Sequence, residues 1–231
     1  MIHLYTVATR LPRLSIGGID DAPLLHVPCG PLIATCSEHP STPGASRERA
    51  VAHAEVVAAV TEQVPAVPVR FGVAHADVDG LRAALAEAEA TLLRTVALTG
   101  DAVEYVVRAT TPLGTPDTAR RPEPASVPST GEHTPGRAYL EGRLAEARAA
   151  RDARTARATD LAAVTAPLSD HVLRVADREG HAGPERCFLV RRATSGVFRA
   201  AAEEALADRP DLLLGGPWPP YTFAETGEPT S

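Results

Sequence analysis

Two short motifs in the first forty residues carry side chains that bind metals or act as nucleophiles. His26-x-x-Cys29 and Cys36-x-x-His39 form a mirror-image set, and two imidazoles with two thiolates make a zinc donor set. Gly30-Pro31 lies between them and separates two short apolar runs, 24–27 and 32–36, which predicts a hairpin. In that hairpin Cys29 sits at the turn and Cys36 several residues up the second strand. At about 3.3 Å per residue the two are well over about 10 Å apart, whereas tetrahedral zinc needs its thiolates within about 2.3 Å of one ion. The expectation is therefore no metal site and no cofactor. Neither Cys29 nor Cys36 sits in a recognisable nucleophile motif, and there is no G-x-S-x-G elbow, G-x-G-x-x-G loop or Walker sequence. No catalytic residue is assigned, and the chain is expected not to be an enzyme.

Arg70 is the next candidate. It follows Val64-Pro65-Ala66-Val67-Pro68-Val69, whose two prolines forbid helix and restrict the segment to a strand edge or extended strip. Its guanidinium, presented from a stiff segment, could clamp a carboxylate or phosphate, although an ion pair within the chain is the simpler use. His53, alone on a predicted helix with no partner in the local sequence, reads as structural rather than catalytic. Near the C-terminus, Gly216-Pro217-Trp218-Pro219-Pro220-Tyr221 concentrates the only tryptophan with three prolines. Each proline steers its predecessor away from helix, and a polyproline geometry puts Trp218 and Tyr221 on one side, roughly 9 Å apart. Such a strip either folds back to seal its own domain's core or docks on a partner. Pro217 and Pro220 have P-x-x-P spacing but no basic flank, which argues against a modular-domain ligand.

The elements that must position these residues alternate between strand and helix patterns. Residues 2–8 are a strand, with Ile2, Leu4 and Thr6 on one face and His3, Tyr5 and Val7 on the other. A helix is expected over 46–64, capped by Ser46, with Val51, Ala54, Val57, Ala58 and Val64 inward. Asp77 caps a second helix that buries Leu81, Leu85, Ala88 and Leu92 and ends at Gly100. A strand over 103–109 follows. Residues 111–135 contain six prolines among polar residues and read as an exposed, flexible insertion. Beyond it, Leu140, Leu144, Ala147, Arg151, Arg154, Ala158 and Leu161 form a heptad seam with arginines in its middle, a helix expected to project into solvent or to dock on an acidic surface. After Pro167 a helix restarting at Ser169 is expected to run to Gly180. Residues 187–190 read as a buried strand, 195–206 as a helix and 211–214 as a strand leading into the aromatic strip, while the residues after Phe223 carry no packing signal.

Composition bounds the class. The chain has 231 residues, 44% hydrophobic and 23% charged, with 23 basic against 29 acidic residues and a net charge of −6. An acidic chain lacks the basic field needed to bind nucleic acid or an anionic membrane surface nonspecifically. Its apolar runs are too short to cross a bilayer, and no secretory signal opens it. Three cysteines form no even disulfide framework, so the expected location is cytoplasmic.

Three segments together, in this order, resemble one family. They are Pro65-Ala66-Val67-Pro68-Val69-Arg70-Phe71-Gly72 after the His53 helix, Gly136-Arg137-Ala138-Tyr139-Leu140 at the head of the long helix, and Gly216-Pro217-Trp218-Pro219-Pro220-Tyr221-Thr222-Phe223 at the end, with Cys187-Phe188-Leu189-Val190 in the usual strand position. The resemblance is to the gas vesicle protein F and L family and spans nearly the whole chain. It implies an α+β fold of two domains: a mixed N-terminal domain over 1–99, and a modified ferredoxin-like domain over 100–231 with a long helical arm and 111–135 as its insertion. It also implies a nonenzymatic accessory protein that binds or chaperones the small hydrophobic gas vesicle shell protein, in the cytoplasm and associated with gas vesicles. Pro68, Arg70, Phe71 and Gly72 are the expected partner-binding residues, and other gas vesicle accessory proteins are further candidate partners. The competing class is a small cytoplasmic α+β enzyme that binds a metal or small molecule.

Overall fold

Five short segments of the first hundred residues share one antiparallel sheet. The computed structural model describes residues 1–110, 135–180 and 182–224, with the backbone alone at 135–138. β1 (Ile2–Ala8) is buried along its whole length. It pairs with β3 (Leu32–Glu38), β4 (Ala66–Pro68) and β5 (Ala74–His75), while β2 (Leu24–Cys29) completes the order β2-β3-β1-β4. The β2–β3 turn has Gly30 at φ +60°, a conformation that glycine adopts without a Cβ penalty. The expected alternation along β1 fails at one point. A bulge between Leu4 and Thr6 shifts the phase, so Val7 joins Ile2 and Leu4 in one core while Tyr5 and Ala8 enter another.

Two helices cover this sheet. α1 (Arg47–Gln63) starts where Ser46 Oγ accepts the Arg49 amide, at 3.2 Å. Its buried stripe is His53, Val56, Val57, Val60 and Thr61, and Val51 is half exposed. The expected stripe through Val51 and Ala54 is corrected: a histidine and a threonine belong to the buried face and hid its phase. α2 (Val78–Thr99) follows the pattern, capped by Asp77 with Leu81, Leu85 and Leu92 buried.

The second sheet runs β6 (Ala102–Ala109), β7 (Arg174–Gly180), β8 (Gly183–Arg191) and β9 (Leu212–Trp218), in the order β7-β8-β6-β9 and antiparallel throughout. With α3 (Pro135–Thr165) after β6 and α4 (Ser195–Ala205) after β8, this is the βαββαβ ferredoxin-like arrangement. Phe188 and Phe198, with ring centroids 5.4 Å apart, anchor its core beside Tyr105. The helix expected from Ser169 to Gly180 is instead a 3-10 turn, Ala166–His171, followed by β7. This segment is rich in charged residues. On an edge strand they are satisfied across the ladder, Arg178 by Glu185 and Arg186 by Asp177.

Along α3, Tyr139, Leu140 and Leu144 are 68%, 66% and 50% exposed, whereas Leu161 is buried. Arg209 ties its C-terminal half down through Asp160, at 2.6 Å. The continuous polyproline strip is corrected as well. Trp218 ends β9 opposite Glu104, and Tyr221–Phe223 form a separate 3-10 turn. Of the proline-rich insertion expected over 111–135, residues 111 to 134 lie outside the described residues and Pro135 opens α3; the residues after 224 also lie outside them.

Candidate interaction surface

The β1 bulge builds the surface on which Arg70 stands. Tyr5, at the irregularity, turns its carbonyl to the Val69 amide at 2.9 Å, and the Leu4 amide reaches the Val73 carbonyl at 3.0 Å. The loop 69–73 is thus held to β1 at both ends. Gly72, at φ +97°, makes its sharpest turn. Pro68 is buried in β4 at the sheet edge, Phe71 is half buried, and Arg70 and Gly72 are exposed. The four expected partner-binding residues therefore form one continuous segment, but only Arg70 and Gly72 face outward.

Beneath the loop lies a buried imidazole pair. His53 Nε2 is 2.8 Å from the Val69 carbonyl, and His53 Nδ1 is 2.9 Å from His3 Nε2. A carbonyl only accepts, so Nε2 of His53 carries the proton and its Nδ1 accepts from His3 Nε2–H. His3 Nδ1 is left unprotonated, buried and without a hydrogen-bond partner. Burial, reinforced by His53 and His39, lowers the His3 pKa to about 4; burial also lowers those of His53 and His39. All three rings are neutral at pH 7. Phe71 packs over the pair, with ring centroids 5.5 Å from His3 and 5.7 Å from His53. The Tyr5 hydroxyl accepts the Ile19 amide and lies 2.8 Å from Ser37 Oγ, which in turn lies 2.8 Å from His39 Nε2.

Arg70, from the loop after β4, lines a cleft of about 520 Å³ together with Asp177, Arg178, Glu179 and Glu185 of the second sheet and Thr222. Thr222 belongs to the C-terminal turn. Its amide and hydroxyl both donate to the buried Glu104 carboxylate, at 2.8 and 2.6 Å, and its hydroxyl accepts from Arg178 Nη1 at 3.1 Å. Arg178 Nε also donates to Glu185 at 2.9 Å.

The C-terminal segment divides between these environments. Gly216, at φ +115° and close against the Glu104 carbonyl, admits no side chain. Pro217 and Trp218 are exposed, Pro219 is half buried and Pro220 buried. Tyr221 packs on the cluster around Tyr5, Val56 and Val60, and Ala224 enters the Ile2 and Leu4 core. The segment seals the first sheet's cores rather than only its own. Burial pushes the Tyr221 phenol up to about 12.

The four metal-type side chains at 26–39 are dispersed. Cys36 pairs with Leu25 and Cys29 with Leu32, His26 meets Thr35, and His39 turns to Ser37. Burial pushes the Cys36 thiol up to about 11. Among the described residues no group of three or more His, Cys, Asp or Glu side chains is placed to hold a metal ion. Sequence reasoning missed His3 and Glu104 as network centres; both sit in strands that read as ordinary, and only their long-range partners, 50 and 118 residues away, give them a role.

A chain built this way is an α+β protein of two joined antiparallel sheets, the second ferredoxin-like. It belongs to the gas vesicle synthesis protein GvpL/GvpF family, whose sequence model matches residues 1–225. A gas vesicle protein F from a Streptomyces strain is 28% identical over 224 residues, covering 91% of this chain and 92% of the relative. The crystal structure of gas vesicle protein GvpF from Anabaena is similar with a TM-score of 0.69 at 15% identity, covering 98% of this chain and 99% of that one. GvpF from Microcystis aeruginosa gives 0.68 at 17% identity, over 97% and 99%. At those identities the structural likeness is one of fold. Family membership places the chain in gas vesicle formation, and no described helix is long and apolar enough to cross a membrane.

Proposed function

We propose that this chain is a nonenzymatic accessory protein that binds the small hydrophobic gas vesicle shell protein and covers its apolar surface before or during assembly. It acts in the cytoplasm, in association with gas vesicles, and its two sheets are two domains, 1–99 and 100–231. A shell subunit exposes apolar surface until it is incorporated, and an uncovered patch of that kind aggregates. The observation that carries the reading is the loop 69–73, pinned to β1 at both ends and backed by His53, which presents Arg70 on the lining of the cleft. A preordered loop loses little entropy on binding, and an arginine at an interface is a common energetic anchor. Phe71 and Pro68 support the loop from below, and Gly72 lets it turn. Tyr139, Leu140 and Leu144, exposed on α3, are a separate surface, suited to other gas vesicle accessory proteins.

The test is Arg70→Ala in the full chain. Binding to shell protein should weaken by about tenfold or more with the far-ultraviolet circular dichroism spectrum unchanged. Unchanged binding would remove Arg70 from the interface, and loss of the folded spectrum would assign it to structure.

A further inference from the structure

The C-terminal turn closes a circuit between the halves of the molecule. Glu104, at the centre of the second sheet and 3% exposed, receives the amide and hydroxyl of Thr222. Arg178 reaches the same hydroxyl from β7 and is itself held by Glu185 of β8. Three strands of the second sheet therefore fix one threonine. Its neighbours go the other way: Tyr221 packs on the cluster that also seats Phe71, and Ala224 is buried among Ile2 and Leu4. Thr222 and Arg70 both line one cleft.

We propose that residues 219–224 are a strap that locks the two sheets together and fixes the pose of the loop 69–73, with Thr222 as its positioning residue. A hydroxyl and an amide on one buried carboxylate are charge-assisted bonds, and removing one partner leaves a buried acceptor underserved. The turn's other anchors, Tyr221 and Ala224, lie on the first sheet's cores, so the clasp is the tie that holds it to the second sheet. When the clasp opens, Tyr221 leaves the cluster beneath Phe71 and the loop loses one of its supports. That this governs partner binding rests on the reading of the loop as the shell-protein surface; the coupling of strap to loop does not.

Hydrogen exchange on the full chain tests it, with the amides of Thr222, Val69 and Leu4 as probes, because these donate to Glu104, to the Tyr5 carbonyl and to the Val73 carbonyl. In the unaltered protein, exchange of Thr222 and Val69 should follow one common denaturant dependence, distinct from that of the central β6 and β8 amides. Separate dependences would overturn the strap. In Thr222→Val, the Val69 and Leu4 amides should exchange roughly tenfold faster or more with β6 and β8 unaltered, while Thr222→Ser, which keeps the hydroxyl, should retain protection. Equal exchange in Thr222→Val and the unaltered protein, or a uniform increase across both sheets, would overturn it. Failure of Arg70→Ala to weaken shell-protein binding bears on the function and leaves this result untouched.

Discussion

Acid reaches this molecule first through its buried imidazoles. His3 faces His53 from α1, His39 beyond β3, and Tyr5 on its own strand, and among the described residues no carboxylate is hydrogen-bonded to it to stabilise a proton. Its folded pKa of about 4 lies below the unfolded value of 6.5, so between those pH values the unfolded chain takes up a proton that the folded chain refuses. Stability is therefore full above about pH 6.5 and falls as the pH drops toward 4. His3 alone accounts for a loss on the order of 3 kcal/mol, and His53 and His39 act in the same direction. Urea midpoints measured from pH 7 to pH 4.5 should fall, and His3→Leu should flatten that slope even where it lowers stability at pH 7. A slope unchanged in His3→Leu would mean that the titrating group lies elsewhere.

Secondary-structure elements were legible wherever their signal was local. Ser46 and Asp77 mark two helix starts, Gly30-Pro31 marks a hairpin, and the four-three spacing of α2 marks its buried leucines. The misreadings have one physical source, which is pairing with distant residues. β7 has a charged sequence that becomes a strand only because β8 supplies Glu185 and Arg186 opposite it. The bulge in β1 is set by what Tyr5 and Leu4 must reach on the loop after β4. The α1 face includes His53 because His3 and Val69 satisfy it. At the candidate surface, Arg70 and its stiff flank were visible in sequence, whereas the Glu104–Thr222 clasp had no local sign. α3 gives a clear test at this scale. Leu140→Ala and Leu144→Ala, on its solvated turns, should change unfolding free energy by less than about 0.5 kcal/mol. Leu161→Ala, in the core, should cost about 2–5 kcal/mol. Equal losses at all three positions would show that the first turns of the helix are covered in the free protein.

At the scale of the whole molecule, the order of the chain and the order of its packing differ. The last described residues return to the first core, so the C-terminal turn belongs by contact to both sheets. Arg192 adds a second tie, donating to the Thr61 carbonyl of α1 at 3.0 Å. Two sheets joined in this way present a fixed cleft with Arg70 on its lining, and the acidic chain as a whole resists nonspecific association. On the proposed function, this assembly meets the shell protein directly. The most direct measurement is recovery of the small gas vesicle shell protein from cells that co-express it with the tagged full chain, beside the tagged Arg70→Ala chain and an unrelated acidic protein. Specific recovery is expected with the unaltered chain, and a marked loss with Arg70→Ala. No recovery above the acidic control, with folded bait and soluble shell protein both verified, would contradict it.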